Sequence, residues 1–219
     1  MISVVLVLVL VAGWPAALAH SWIDSLQVTA DNGTVTSTGY IRSYSGHYDD
    51  LETYHLMNPN GSTPLCMESQ RTANYSAEYP MLVARPGDNV TASYEENGHV
   101  TVDKLETDMK AHPGSYAWFW SPTPDTEVGD FGAVLDGSAD VVVGPCSFDD
   151  GRCAVSSDNS LGRTKSACHS YFTVPDVNVS GVYSFVWLWH FPKIPRTIAG
   201  APLEYYSSCM DIQIDVDSN

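Results

Sequence analysis

Positive charge is scarce in this chain: 10 Lys and Arg stand against 26 Asp and Glu in 219 residues, a formal net charge of −16. A phosphate backbone or an anionic membrane surface is held by clustered Lys and Arg, so nucleic acid and membrane are excluded as partners. Long apolar runs are as rare. Residues 2–13 form one that is too short to span a bilayer, and no second one follows. Helical periodicity over any length is also scarce. A Ser-His-Asp signature, a phosphate-cradling glycine loop and a Cys-x-x-Cys pair for structural zinc are all missing. These absences remove the common nucleotide, serine-hydrolase and zinc-finger classes.

What is present points to export. The apolar run leads through Trp14-Pro15 to Ala17-Leu18-Ala19, a small-x-small cleavage site, although no basic residue precedes the run. Cleavage after Ala19 is expected, leaving residues 20–219 as a single secreted, extracellular domain that acts as a monomer. All five cysteines, Cys66, Cys146, Cys153, Cys168 and Cys209, lie in that part, where disulfides can form. Their odd number leaves one thiol over or one intermolecular bond, and the pairing is open. Asn-x-Ser/Thr sequons begin at Asn32, Asn60, Asn74, Asn89 and Asn178, which suits a glycoprotein. Six Trp and 12 Tyr suit a protein that handles neutral polymers.

Hydrophobic residues make up 44% of the chain, enough for a core, and their period is two. Leu26, Val28 and Ala30 alternate with polar neighbours before an Asn32-Gly33 turn. Val100 and Val102 alternate likewise. Met210, Ile212, Ile214 and Val216 form the clearest strand, and residues 182–191 are apolar on both faces, as a central strand would be. Residues 106–165 are the least regular and are expected to be long loops at the sheet edge. The expected fold is all-β: an immunoglobulin- or fibronectin-like antiparallel β-sandwich with long loops.

Cleavage after Ala19 makes His20 the first residue, which changes its chemistry. Its free α-amine and Nδ1 can close a six-membered chelate ring on a metal, and the amine loses its proton near neutral pH at modest cost. One further imidazole would complete a planar three-nitrogen set suited to Cu(II). His99 is the best-placed candidate, after the Glu95-Glu96-Asn97-Gly98 turn and at the start of the Val100/Val102 strand. His47 and His55 in a Tyr-rich stretch, His112 beside a Pro-Gly turn and His169 beside Cys168 have poorer contexts. His190, in the doubly apolar strand, reads as a core histidine or one packed behind the site. Period two puts Glu204, Tyr206, Ser208 and Met210 on one inward face and Tyr205 on the other. An inward tyrosine is ordinarily core with a bonded hydroxyl; the alternative is an axial oxygen beside the metal. Glu204 is either a strand-end carboxylate or a proton-handling group.

Taken together these residues resemble the lytic polysaccharide monooxygenases, secreted copper enzymes whose mature chain begins with histidine. His20-Ser21-Trp22 matches the first ligand, and Glu95-Glu96-Asn97-Gly98-His99-Val100-Thr101 resembles the second-histidine segment of fungal secreted proteins that start His-Ser-Trp. Those proteins also have segments like Phe148-Asp149-Asp150-Gly151-x-Cys153, Trp187-x-Trp189 and Glu204-x-Tyr206-x-x-Cys209-Met210-Asp211. The chitin-active fungal monooxygenases carry Trp-x-Trp and then Arg-Glu-Met-Tyr-Met-Asn-Cys. Laid on Cys209, their glutamate falls on Glu204 and their tyrosine on Tyr206, while their arginine falls on Leu203, a departure. The resemblance implies one copper per chain held by His20 and His99 with Tyr206 axial. It further implies Glu204 as a catalytic neighbour, an external electron donor, and oxidative scission of a polysaccharide such as chitin or cellulose with O2 or H2O2. Tyr44, Tyr48, Tyr54, Tyr116, Trp118 and Trp120 are candidate sugar platforms, with a place in the core the equal alternative for Trp118 and Trp120. A non-catalytic copper-binding protein with the same histidine brace is the alternative, and a metal-free carbohydrate-binding sandwich is a third reading.

Overall fold

The computed structural model describes residues 20–47, 49–96, 113–154, 162–191 and 203–216. Two β-sheets face each other. The smaller contains β1 (Ile23–Thr29), β2 (Val35–Gly39), β5 (Asn89–Tyr94) and β8 (Cys168–Thr173), in the order β2-β1-β5-β8. The larger has the order β3-β10-β9-β6-β7, from β3 (Tyr54–Met57), β6 (Ser115–Trp120), β7 (Asp140–Ser147), β9 (Gly181–His190) and β10 (Glu204–Ile214). β4 (Leu82–Ala84) joins the far half of β10 in parallel; the other pairings are antiparallel. Among the described residues helix is confined to short turns such as α1 (Asp49–Glu52) and α2 (Phe131–Leu135). No helix among the described residues is long and apolar enough to cross a membrane.

Among the described residues, the strands expected at 26–28, at 182–191 and from Met210 form, and for the expected reason. β1 buries Leu26 and Val28 and turns at Gly33, whose φ of 82° is the left-handed value such a turn needs. β9 is buried on both faces because it lies between β10 and β6, with a packed layer on either side. β10 starts earlier than its alternation suggests and turns Tyr206, Met210, Ile212 and Ile214 into the core.

One expectation fails. Residues 106–165 are not merely edge loops: they include β6, an interior strand, and β7. β6 reads Ser-Tyr-Ala-Trp-Phe-Trp and is apolar on both faces, so it shows no alternation. Tyr116 and Trp118 are therefore buried in the core rather than offered to a ligand, and Trp120 packs against that core. The Val100/Val102 strand falls outside the described residues.

Two apolar layers result. Between the sheets, Leu26, Val90 and Phe172 meet Trp118, Phe185, Trp187, Trp189 and Met210. Each fully buried side chain of this size contributes roughly 1.5–3 kcal/mol. A second cluster of Leu65, Phe119, Phe131, Val186 and Leu188 lies on the outer face of the larger sheet, under the segments that follow β3 and β6. A disulfide between Cys66 and Cys209 ties the first of those segments to β10, and a second joins Cys153 to Cys168. Cys146 is the thiol left over.

Candidate functional site

Strand direction decides which residues meet. β10 begins at Glu204, β9 ends at His190 beside Tyr205, and β6 begins at Ser115 beside His190. On the other sheet β5 ends at Tyr94, which is opposite Ile23 of β1 and Cys168 of β8. One end of the sandwich therefore gathers the start of β1 and the segments flanking 97–112, 155–161 and 192–202. His20 sits at that end, half-buried.

The chain just after His20 is tightly held. Ser21 is fully buried and donates its hydroxyl to the Glu95 carbonyl at 2.7 Å. The Ile23 amide donates to Ser208 Oγ at 3.0 Å. The first residues of β1 are thus clasped between the end of β5, which leads to residue 99, and the inward face of β10. His99 itself lies outside the described residues, as do Tyr48, His112 and the first 19 residues.

On β10 the inward row is as the alternation predicts. Tyr206 is fully buried and Glu204 is 1% exposed. The Tyr206 hydroxyl donates to Glu204 Oε1 at 2.6 Å, a short bond of the kind a neutral donor makes to a carboxylate. That bond uses the phenol's proton and leaves its oxygen lone pairs, so the group is at most a weak donor to a metal. Tyr206 packs on Trp189 with ring centroids 5.0 Å apart.

The sequence missed His55. β3 pairs with β10 so that His55 lies directly across from Tyr206. The two rings stack with centroids 4.8 Å apart and planes 8° apart. His55 Nε2 is 3.0 Å from Glu204 Oε1; the approach is close but not aligned as a hydrogen bond, so the contact is chiefly electrostatic. The only local signal was that His55 shares a strand face with Met57, which says nothing of the partner. His190, by contrast, stacks on Tyr205 on the opposite face and is not part of this group. His169 is on the outward face of β8.

His47 is also at this end. Its ring lies 4.9 Å from Trp22, and its Nδ1 is 2.9 Å from Asp24 Oδ1, the oxygen that also takes the Tyr44 hydroxyl. Burial and the Asp24 charge push the Tyr44 phenol well above its ordinary value, so it stays a donor. Tyr44 and Tyr54 are half-buried and engaged, Tyr54 against the outer cluster, so neither is an open platform.

The Phe148-Asp149-Asp150-Gly151-x-Cys153 segment has a structural explanation. Phe148 is fully buried, stacks on Trp189 at 3.9 Å, and its carbonyl takes the Tyr94 hydroxyl at 2.6 Å. Asp149 receives the Gly151 amide and both Arg163 terminal nitrogens; Asp150 Oδ1 receives the Arg152 and Cys153 amides. Asp150, Cys153 and Cys168 lie close enough to chelate, but both sulfurs are spent in a disulfide and the carboxylate in amide bonds. This is a braced turn, not a metal centre.

Among the described residues at this end, His20 offers Nδ1, and its amine as well if the chain is cut before it, and Tyr206 offers a phenol oxygen backed by Glu204. Nitrogen donors with a weak phenol oxygen are a set that suits copper better than a hard cation. Solved structures similar to this chain include a cellulose-active polysaccharide monooxygenase from M. thermophila, 18% identical over 91% of this chain and 80% of that one, with a TM-score of 0.44. They also include CvAA9A, 14% identical over 91% and 80%, with a TM-score of 0.43. No curated protein matches. A family model described as a domain of unknown function, DUF7492, matches residues 17–219, and the chain belongs to that family.

Proposed function

We propose that this chain is a secreted copper-dependent monooxygenase that oxidatively cleaves a neutral polysaccharide of the chitin or cellulose kind, after removal of residues 1–19. The observation that carries the reading is the clasp on the new N-terminus. Ser21 is bonded to Glu95 and Ile23 to Ser208, so His20 is strapped between the segment leading to His99 and the strand of Glu204 and Tyr206.

The His20 amine and Nδ1 and a ring nitrogen of His99 would hold copper, with the Tyr206 phenol beside them. Bound copper, reduced by an external electron donor, supplies the one-electron activation of O2 or peroxide that oxidises a glycosidic carbon. The chain's own groups do the rest. Tyr206 keeps one side of the site closed by its bulk, and Glu204 Oε1 holds the phenol proton and so fixes the ring. His55, stacked on that ring and 3.0 Å from the same oxygen, restrains both. Glu204 would also serve as the carboxylate that takes or returns a proton there.

A secreted copper carrier with the same ligands is the second reading. One observation favours it: Tyr116 and Trp118, candidates for stacking on sugar, are buried in the core.

The test is expression with the native N-terminus, His20 verified by mass, and Cu(II) titration beside His99→Ala. Tight one-to-one binding with a tetragonal, nitrogen-rich spectrum, lost in the variant, is expected. Oxidised oligosaccharides from chitin or cellulose under reductant and peroxide then mark the enzyme, and their absence the carrier. Weak binding indifferent to His99 would overturn both readings.

A further inference from the structure

The outward face of the four-stranded sheet is nearly without charge, although the chain carries 26 Asp and Glu. Ser25, Gln27 and Thr29 of β1, the outward residues of β5 and β8, and Thr38 of β2 beside them include no Asp, Glu, Lys or Arg. The one carboxylate on these strands, Asp24 at the bulge before Ser25, is already bonded to Tyr44 and His47. The pairing aligns Tyr171, Thr91, Gln27 and Thr38 in one row across all four strands. Three strand spacings make that row about 14 Å long. A second row, His169, Ser93 and Ser25, lies nearer the His20 end.

Tyr171 is the other half of the observation. It is 63% exposed, the most open large apolar side chain among the described residues, and stands on the edge strand at the end of the row. Beside it runs a groove of about 400 Å³ lined by Val142, Val143, Asn89 and Thr173 as well as Tyr171. The outer face of the larger sheet is covered by apolar packing; no described element packs on this one.

We infer that this face is a second polysaccharide-binding surface, whose occupant is an uncharged polymer such as cellulose, chitin or xylan. The argument is one of charge. An acidic polymer is repelled by the rest of this molecule, and a basic partner gains little where the one carboxylate, Asp24, is already paired. An uncharged chain of hydroxyls loses no ion hydration on docking here. Lying across the strands, it meets a row of hydroxyl and amide groups, with Tyr171 as an apolar plate for one sugar ring. The inference is independent of copper.

The test is affinity electrophoresis of the mature chain through gels holding hydroxyethylcellulose, glycol chitin or xylan, with carboxymethylcellulose as the acidic control. At least one uncharged polymer is expected to retard the protein, with binding about tenfold weaker in Tyr171→Ala and abolished in Thr91→Glu. Unchanged Cu(II) binding by Tyr171→Ala will show that its fold is intact. Equal retardation of wild type and Tyr171→Ala, or no retardation by any polymer, overturns the proposal. So does binding that appears only when Asn89→Gln removes the sequon at the edge of the face, because the face is then the bed of the chain's own glycan. A chain that loses copper binding but keeps polymer retardation overturns the copper reading and leaves this one standing.

Discussion

Glu204 is a carboxylate with 1% of its surface exposed, whose described neighbours include the Tyr206 phenol proton and the His55 imidazole edge. A buried acceptor that loses its donor bears the full cost of desolvation. Tyr206→Phe keeps the ring packing on Trp189 and His55 and removes only that donor. Urea denaturation should show a loss of about 1–3 kcal/mol, and the Cu(II) spectrum of the loaded protein should shift while one-to-one binding persists. A variant as stable as wild type would mean that Glu204 does not depend on this bond. The inward direction of Glu204 and Tyr206 was legible from residues 204–216 because alternation is a local property of a strand. The partnership with His55 was not legible, because it depends on how two strands about 150 positions apart in sequence align.

Among the elements, the segment after β3 depends most on covalent help. It covers the outer face of the larger sheet and is fastened to β10 by Cys66–Cys209, across a sequence separation of 143. Replacing both cysteines by alanine should cost about 2–5 kcal/mol in equilibrium unfolding, with the larger part of the loss in the outer cluster, read as faster hydrogen exchange at Leu65 and Leu188. Just before β3, Glu52 of α1 is 1% exposed and accepts the Ser45 amide and hydroxyl. Burial raises its pKa, the Ser45 bonds lower it in part, and the Asp24 charge raises it again. Folding therefore favours the protonated carboxyl, and native stability falls as pH rises through that raised value. Glu52→Gln keeps an acceptor for Ser45 and cannot ionise. Thermal unfolding should show the two proteins alike at acid pH and the variant more stable at neutral pH. The reverse ordering would mean that the ionised form is the one the fold prefers.

At the scale of the whole molecule, one buried ion pair joins distant parts of the chain. Arg42 and Asp211 are each 2% exposed and bond through two nitrogens; Arg42 also reaches the Gln70 carbonyl, Glu127 and Ser184, and Asp211 takes the Tyr75 hydroxyl. The pair sits on the outer face of β10 and β9, where the segments at 42, 70–75 and 127 close over the sheet. Breaking such a pair strands a charge in the interior. Arg42→Met should lower the unfolding free energy by about 3–5 kcal/mol, measured by chemical denaturation at neutral pH.

By itself the sequence determined what is local. It marked β1 with its Gly33 turn, β9 and β10, the inward set on β10, and an odd thiol among five cysteines. It also exposed the chelating chemistry that His20 gains if the chain is cut before it. The tertiary structure decided what depends on pairing. It joined Cys66 to Cys209 and Cys153 to Cys168, left Cys146 over, made β6 an interior strand and so buried Tyr116 and Trp118, and set His55 against Tyr206. The physical reason is the same in each case. Strand character follows from the order of neighbouring residues, whereas register and layer order are set by burying both sheets at once, and no short window of sequence contains that constraint.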